Sequence, residues 1–490
     1  MISGPGLNWR FIAKILGMTL VMESFFILLA SGVSFIYHGP DFKYLLISTG
    51  LCLVLGLSLT FIGNLAEKSK IVGKRESFFT VTMSWILFSF FGSIPFFISG
   101  SIPSFTDAFF ETMSGFTTTG STILTDIESI PHGLMFWRCM TQWLGGLGVI
   151  VFSLVLLPLY GGEVSQLFDA ETTGLFHDRF RPRVVEVAKR IWGIYMVFTV
   201  ILIVLLYLGP MDLYDAVCHS MTTISTGGYS TKQNSIAHWG STYLEFVVVI
   251  FMIVGAINFS IYYFLLKKNF KRVLHDEEIH WFLGIIITAT VIVMIGLVVT
   301  NPEMRQFESF KDSLFQVVSL ITTTGFSTQD YIPWGPFFWV ILLVLMVICG
   351  CAGSTSGGLK VIRMVVLVKN ALNEFGRLIH PRAVIPVRLN GYVLSLDLVQ
   401  RLLAFAFLYV VIILLGVVAL LLTGLEFDEA IGAAVTALGN VGPGLGNHGP
   451  SGSFSGLTDF AKWLLSFLML VGRLELFTVL ILFTPGFWKK

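Results

Sequence analysis

Charged residues are scarce in this sequence of 490 residues, where they make up 12% of the chain while hydrophobic residues make up 55%. A soluble domain carries about 25% charged residues, so this chain lacks the side chains needed to cover a wetted surface. The scarcity excludes a disordered protein, a nucleic-acid binder that relies on a basic surface, and most cytosolic enzymes. The balance of 31 Lys and Arg against 30 Asp and Glu indicates no acidic or basic partner, and no nucleic acid is expected.

Cysteine is scarce as well, with five residues in the whole chain. They form no disulfide framework, and their spacing suits no zinc site. The sequence also lacks an HExxH or GxSxG motif and a credible pair of carboxylates at membrane depth. We therefore expect no enzymatic activity and no covalently bound cofactor.

Long apolar stretches are what the sequence has instead, and about 20 such residues are enough to cross the hydrocarbon of a bilayer. Ten candidate spans lie at 11–36, 44–65, 77–99, 134–160, 190–209, 241–265, 281–300, 336–368, 397–424 and 461–486. Their continuous hydrophobicity predicts helices. The chain is therefore predicted to be an all-α integral membrane protein with about ten transmembrane helices.

Lys and Arg residues are distributed very unevenly between the loops on the two sides of these spans. With the N-terminus in the cytoplasm, 23 of the 31 fall on the cytoplasmic side and four on the other, and the remaining four lie at or within helices. Basic loops remain cytoplasmic in multi-pass proteins. The distribution predicts a multi-pass protein with both termini in the cytoplasm.

One pattern recurs after the third, fifth, seventh and ninth spans, in which an Asp opens a short apolar segment that ends in a stretch rich in Thr, Ser and Gly. The aligned glycine follows the Asp by 13, 12, 13 and 14 residues. The copies run from Asp107 to Gly120, Asp215 to Gly227, Asp312 to Gly325 and Asp428 to Gly442. Such segments are too short to span a bilayer, so four re-entrant helices are predicted.

The non-helical backbone after each short helix is tolerated at membrane depth only where it is buried or lines a water-filled cavity. These stretches offer carbonyls and hydroxyls but no ionised side chain, and rings of carbonyl dipoles can replace the water shell of a monovalent cation. The four stretches therefore predict a cation filter around one axis. They are Thr118-Thr119-Gly120, Ser225-Thr226-Gly227, Thr323-Thr324-Gly325 and Asn440-Val441-Gly442.

A glycine-rich segment interrupts the eighth span at mid-membrane and is expected to unwind towards a cavity. Its small residues are Gly350, Gly353, Ser354, Thr355, Ser356, Gly357 and Gly358. No other span is predicted to be strongly broken. Because coupled transporters usually have broken helices at matching positions of two halves, this count favours a pore over a rocking transporter.

Three polar residues within apolar segments have alternative interpretations. Arg473, inside the last span, either forms an internal pair with Glu475 or tethers two helices, or else it has a functional role. Glu111 either forms a structural hydrogen bond with loop backbone or tunes the filter electrostatically. His219 is expected to be a hydrogen-bonded core histidine.

At these residues the chain resembles the Trk/Ktr/HKT superfamily of potassium transporters, and within it the bacterial TrkH/TrkG branch. The resemblance covers nearly the whole chain and is carried by the four loops, Gln142-WLGGLGVIVF, Cys349-GCAGSTSGGLK and Gly472-RLELFTVL. It implies four pseudo-symmetric helix–pore loop–helix units around one pore. The implied division is 1–70 for two extra N-terminal helices, then 71–165, 166–270, 271–385 and 386–490 for the units.

The resemblance also implies the function. The aligned glycines would form a selectivity filter, where Gly120 implies a preference for potassium, and the segment 349–360 would obstruct the pore as a gate together with Lys360 and Arg473. Gated potassium uptake across the cytoplasmic (inner) membrane is thus expected, with potassium as the bound and transported ion. The alternative is a secondary transporter coupled to protons or sodium, a symport.

Partners are implied by the same resemblance. Such proteins form homodimers and bind a cytoplasmic ring of nucleotide-binding TrkA-type subunits. The basic loops 177–190 and 360–388 are candidate docking surfaces, although they could equally follow only from the distribution of basic residues across the membrane.

Overall fold

The computed structural model describes residues 7–64, 73–156, 184–303 and 305–489, and these residues form an almost entirely helical protein. The exception is a hairpin of β1 (Arg388–Leu389) and β2 (Tyr392–Val393), which pair in antiparallel fashion. Large apolar side chains such as Ile287 (64% exposed) and Phe407 (68% exposed) cover the outside of the long helices. Such a surface suits lipid and not water.

The two N-terminal helices, α1 (Trp9–Ile36) and α2 (Phe42–Asn64), pack closely against each other. Glycines make this approach possible. A Cβ placed on Gly17 would lie 2.5 Å from the Thr60 nitrogen, and one on Gly56 would lie 2.9 Å from the Gly17 carbonyl oxygen. Small residues at the contact are typical of helices that associate within a membrane.

The rest of the described chain repeats one order of elements four times: a long helix, a short helix, and a second long helix that is either continuous or broken. The first unit contains α3 (Lys74–Ile98), α4 (Phe105–Phe116) and α5 (His132–Leu156). The second contains α6 (Val184–Tyr207), α7 (Leu213–Ile224), α8 (Thr242–Ala256), α9 (Phe259–Leu266) and the short α10 (Phe270–Leu274).

The third and fourth units follow the same order. The third contains α11 (Glu277–Thr300), α12 (Gln306–Ile321), α13 (Pro336–Ile348) and α14 (Val361–Ile379), and the β1–β2 hairpin comes after it. The fourth contains α15 (Leu396–Leu421), α16 (Phe427–Gly439), α17 (Asp459–Arg473), α18 (Phe477–Leu480) and the terminal α19 (Pro485–Trp488).

The short helices α4, α7, α12 and α16 coincide with the four predicted re-entrant segments. They have 12, 12, 16 and 13 residues, too few to cross a bilayer. The repeated Asp lies in the first turn of three of them, while α12 already begins at Gln306, more than a turn before Asp312. An acidic side chain there is stabilised by the free N–H groups at the helix start.

Membrane spans are present where the sequence predicted them, but not all are straight. Within the described ranges, six helices are long and apolar enough to cross a membrane, or up to eight if each of two bent pairs counts as one span. The shorter apolar α13 begins the predicted span 336–368. Helix α5 occupies the predicted span 134–160 as far as Leu156, and residues 157–160 lie outside the described chain.

The expectation of a single broken span was wrong. Besides the interruption at 349–360, the predicted span 241–265 bends by 96° between α8 and α9, and the span 461–486 bends by 113° after Arg473. At the first break Asn258 caps α9, because its side chain accepts a hydrogen bond from the Ser260 N–H (2.9 Å). At the second break Glu475 and Leu476 have positive φ values of 56° and 30°.

Candidate functional site

The same backbone path follows each of the four short helices. After the helix, and after one C-cap residue in the first three copies, comes a residue with positive φ, then one further residue, and then a glycine with positive φ. The first positions are Thr118 (54°), Thr226 (52°), Thr323 (59°) and Asn440 (54°), and the glycines are Gly120 (86°), Gly228 (78°), Gly325 (80°) and Gly442 (114°). We call these three-residue segments the filter strands.

The second filter strand differs by one residue from the alignment made on the sequence. Its glycine with positive φ is Gly228, while Gly227 occupies the place of Thr119, Thr324 and Val441. Ser225 is the C-cap of α7 and precedes the strand. Because Gly227 and Gly228 are consecutive, the sequence alignment was ambiguous at this point. Aligning Gly228, as the structure indicates, gives a spacing of 13 residues from Asp215, as in the first and third copies.

The four glycines face one another's strands in cyclic order. A Cβ placed on each would meet the carbonyl oxygen that precedes the equivalent glycine of the next strand. These distances are 2.3 Å from Gly120 to Gly227, 1.7 Å from Gly228 to Thr324, 2.2 Å from Gly325 to Val441 and 3.0 Å from Gly442 to Thr119. The four strands therefore surround a common axis, and glycine is required both by the backbone angle and by the lack of space.

A cavity above this ring is lined by all four glycines, Gly120, Gly228, Gly325 and Gly442. Among the described residues no group of three or more His, Cys, Asp or Glu could hold a metal ion. Backbone carbonyl and hydroxyl oxygens suit a monovalent ion, but the cavity lining also includes the basic residues Arg138 and Lys232.

Polar side chains behind the ring fix the strands. Ser114 donates to the Ser121 carbonyl and Ser319 to the Phe326 carbonyl, both at 2.6 Å, so the first and third strands are held in the same way. The second strand is held by Gln142 of α5. Its amide nitrogen donates to the Gly227 carbonyl (2.6 Å), and its amide oxygen accepts the Tyr229 N–H (3.0 Å).

Close packing explains why glycines stand at positions 145 and 146 of α5, shortly after Gln142. A Cβ on Gly145 would lie 1.9 Å from the Phe116 carbonyl oxygen, and one on Gly146 would lie 2.8 Å from the Ser225 Cβ. Helix α5 can therefore touch the ends of α4 and α7 directly. Sequence reasoning used this motif as a family signature but did not identify Gln142 as a support of the strand.

A buried ion pair also supports the first and second strands. Arg138 Nε lies 2.7 Å from Glu111 Oε1, and the two side chains are 2% and 1% exposed. Glu111 also accepts the Ile123 N–H (2.9 Å). This is the hydrogen bond to loop backbone that the sequence analysis gave as the structural interpretation of Glu111. The Arg138 guanidinium lies 3.6 Å from the centre of the Tyr229 ring, and the Tyr229 hydroxyl donates to the Glu111 carbonyl (2.7 Å).

His219 is the core histidine that the sequence suggested. Its Nδ1 is 2.8 Å from the Asp215 carbonyl oxygen, its Nε2 is 2.9 Å from the Ser230 hydroxyl, and it is fully buried. The sequence did not anticipate a role for Arg138. Its position inside an apolar span, within reach of a short helix that contains an acid, was the available signal.

The segment 349–360, which we call the intramembrane loop, lies beneath the filter strands. The Thr355 hydroxyl oxygen lies 3.1 Å from that of Thr226 and donates to the Ile224 carbonyl (3.2 Å), and the Gly357 N–H donates to the Thr323 hydroxyl (3.3 Å). A Cβ on Gly357 would lie 2.4 Å from the Gly439 carbonyl oxygen. The loop thus contacts the second, third and fourth units at the inner end of the ring.

The intramembrane loop also fits into the break between α8 and α9. The Cys351 N–H donates to the Ala256 carbonyl (2.9 Å), and the Phe259 N–H donates to the Gly353 carbonyl (3.2 Å). A Cβ on Gly353 would be 2.9 Å from the Asn258 side chain. Two broken helices therefore satisfy part of each other's free backbone groups.

Arg473 contacts the intramembrane loop directly. Its guanidinium donates to the Thr355 carbonyl (2.5 Å) and to the Gly145 carbonyl of α5 (2.9 Å), and the residue is 6% exposed. The suggested pair with Glu475 is not formed within the described chain, because Glu475 binds Lys360 (3.3 Å) and Arg363. Arg473 is therefore a link between α17, α5 and the loop.

The remaining predicted gate residues complete the loop. The Val361 N–H donates to the Gly350 carbonyl (3.0 Å), and the Ser354 and Ser356 hydroxyl oxygens are 2.6 Å apart. Positive φ values occur at both ends, 62° at Cys349 and 73° at Lys360, as well as at Gly353 and Gly358. The predicted gate residues of the loop thus lie in one segment next to the ring, and Arg473 contacts this segment from α17.

Comparisons with known proteins agree with this architecture. A sequence profile of the TrkH family, described as a cation transport protein, matches residues 64–490. The Trk system potassium uptake protein TrkH of Escherichia coli (strain K12) is 36% identical over 487 residues, which cover 99% of this chain and 100% of that protein. The Trk system potassium uptake protein TrkI of Halomonas elongata is 35% identical over 493 residues, covering 99% and 98%.

A solved structure is similar over nearly the whole chain. The crystal structure of the potassium transporter TrkH from Vibrio parahaemolyticus matches with a TM-score of 0.89 at 33% identity, covering 98% of this chain and 100% of that one. These matches confirm the family resemblance and the all-α membrane fold that the sequence predicted.

The register of the second filter strand can be tested by thermal stability. Gly228→Ala places a Cβ 1.7 Å from a backbone oxygen at a φ of 78°, whereas Gly227→Ala meets the Gln142 side chain. We expect Gly228→Ala to lower the melting temperature of the detergent-purified protein more than Gly227→Ala does. An alanine held in the left-handed region reduces the free energy of unfolding by about 1–3 kcal/mol even before the clash is counted. A larger decrease in melting temperature for Gly227→Ala would favour the alignment that places Gly227 with Gly120, Gly325 and Gly442.

The buried ion pair gives a second prediction. Glu111→Ala leaves the Arg138 charge buried without its partner and should destabilise the protein by about 3–5 kcal/mol. Lys232→Ala serves as the control, because it breaks a partly exposed contact of 3.8 Å with Asp215 and should cost less than about 1 kcal/mol. Equal shifts in melting temperature for the two variants would contradict the assigned importance of the pair.

Proposed function

The chain belongs to the TrkH family of cation transport proteins, and from that membership we propose that it takes up potassium across the cytoplasmic membrane through a gated, channel-like pore. The family transports ions and is not a family of enzymes. The observation that carries the proposal is the cyclic contact of four glycines with four carbonyl oxygens. Such a ring offers neutral oxygen ligands to a dehydrated cation.

The proposed filter consists of the four strands and the residues that the sequence aligned with them. They are Thr118, Thr119, Gly120, Ser225, Thr226, Gly227, Gly228, Thr323, Thr324, Gly325, Asn440, Val441 and Gly442. Each strand follows directly on the C-terminal end of a short helix, where the partial negative charge of the helix favours a cation. Glycine at all four key positions, with Gly120 in the first unit, supports potassium as the preferred ion by family resemblance.

The proposed gate is the intramembrane loop together with Arg473. The loop lies against the inner end of the filter strands, and Arg473 holds it through the Thr355 carbonyl. Because hydrogen bonds from a charged donor are stronger than neutral ones, this contact would stabilise the obstructed state. Opening would require the loop to leave the ring.

A coupled transporter remains the second candidate, and one observation favours it. The bends of 96° and 113° add two broken helices to the one expected, and broken helices are typical of coupled transporters. The two functions differ in the reversal potential of the reconstituted protein. A current that reverses at the potassium equilibrium potential over a range of proton and sodium gradients supports the pore.

The cellular arrangement is also part of the proposal. The chain is a multi-pass membrane protein, and we place it in the inner membrane with both termini in the cytoplasm and with the units divided as the sequence suggested. A homodimer and a cytoplasmic, nucleotide-binding TrkA-type partner follow from family resemblance. The basic segment 360–388 is a candidate docking surface, and half of the other, 177–190, lies outside the described residues.

The filter proposal predicts the effect of Gly325→Asp in cells that lack other potassium importers. A carboxylate at this position would occupy the ring and bind the ion too strongly, so growth on low potassium should be lost, as it should with Gly120→Asp. The control is Gly456→Asp at an exposed loop glycine with open space around it, which should still support growth. Growth of Gly325→Asp cells at wild-type protein levels would refute the filter assignment.

The gate proposal predicts the effect of Arg473→Ala in liposomes. Loss of the charged hydrogen bond to the Thr355 carbonyl should shift the gate towards the open state and raise potassium flux by about tenfold. Arg401→Ala, at an exposed arginine of α15, is the matched control and should conduct like the wild type. Flux through Arg473→Ala no greater than through the wild type would remove this residue from the gate.

A further inference from the structure

Glu278 is a buried acid to which the proposed mechanism has so far given no role. It lies in the first turn of α11 at the start of the third unit, and it is 4% exposed. No cationic side chain forms an ion pair with it within the described chain. Its partners are backbone N–H groups, and they belong to the intramembrane loop and the helix after it.

One oxygen of Glu278 binds both ends of the intramembrane loop. Oε1 accepts the Ala352 N–H (2.7 Å) near the start of the loop and the Ile362 N–H (3.3 Å) in the first turn of α14. The other N–H groups of the loop with assigned partners bind carbonyls or hydroxyls, as do those of Cys351 and Gly357. A carboxyl oxygen has enough acceptor capacity to bind both N–H groups at once.

The position of Glu278 is itself fixed from several directions. Asp276 caps α11 by accepting the N–H groups of Glu278 (3.0 Å) and Ile279 (3.3 Å). The preceding Glu277 pairs with Lys369 of α14 and exchanges hydrogen bonds with Asn390 in the turn of the β1–β2 hairpin, at 2.7 and 3.1 Å. The carboxylate is therefore presented to the loop by an anchored helix start.

We propose that Glu278 is a positioning residue that holds the intramembrane loop in its place beneath the filter by binding the loop's two ends with one carboxylate oxygen. The proposal rests on the gate function of the loop. Any movement that separates Ala352 from Ile362 must break at least one of these bonds. Glu278 thus stabilises the loop in the position that obstructs the pore.

Two native thiols report directly on the position of the loop. Cys349 and Cys351 lie in it and are fully buried, and Cys351 is next to Ala352. Purified protein would be treated with N-ethylmaleimide, and labelling of each cysteine would be followed by mass spectrometry with Cys52 of α2 as an internal reference. Potassium flux from liposomes would be measured on the same preparations.

Glu278→Ala removes both bonds, so we expect labelling of Cys349 and Cys351 and potassium flux each to rise by about tenfold. Glu278→Gln keeps an acceptor oxygen at the same place and should stay within about twofold of the wild type. Glu374→Ala, at an exposed glutamate of α14 that pairs with Arg377, is the matched control and should change neither readout.

The two readouts separate this inference from the gate proposal. Unchanged labelling in Glu278→Ala, or equally fast labelling in Glu278→Gln, would overturn the role of Glu278. Faster labelling without increased flux would support the tether and overturn the gate function of the loop. If Glu278→Ala does not fold, Glu278→Asp provides the test, since it is one methylene shorter and should also release the loop.

Discussion

Backbone polar groups at membrane depth have no water to bind, so every non-helical segment there must find partners inside the protein. The structure around the ring follows from this constraint. The filter strands are held by Ser114, Ser319 and Gln142, and the intramembrane loop is held by the carbonyls of the α8–α9 break, by Thr323 and by Glu278. The filter strands and the intramembrane loop thus form one network of hydrogen bonds, although each segment would be unstable alone.

The few charged side chains that are buried among the helices have specific contacts. Several charged side chains within the helical body are paired with one another, as for Arg138 with Glu111 and Lys462 with Asp107 (2.6 Å). Glu23 of α1 is an exception, because it is fully buried and neither of its carboxyl oxygens has a hydrogen-bond partner within the described chain. Burying an unpaired charge is costly. Arg473 and Glu278 are unusual because both bind backbone of the intramembrane loop, one by donating to a carbonyl and the other by accepting N–H groups. Movement of the loop would break the contacts of both side chains.

Much of this architecture could be predicted from the sequence, because apolar length and the spacing from Asp107 to Gly120 are local signals. The sequence failed where the deciding contact was distant. Gly227 and Gly228 could not be distinguished until the carbonyl of Thr324 was in place, and Asn258 gave no indication that the intramembrane loop would occupy the break beside it. Arg138 and Glu278 were missed for the same reason, since their partners lie far away along the chain.

The four units are alike at the filter but not beneath it. The second long helix is broken in the second, third and fourth units, whereas α5 of the first unit continues from His132 to Leu156. This continuous helix supplies Gln142 to the second filter strand and the Gly145 carbonyl to Arg473. In the proposed gate, α5 would stay in place while the broken helices of the other three units rearrange. The gate that we propose would therefore open asymmetrically, beneath a ring to which all four units contribute carbonyl oxygens.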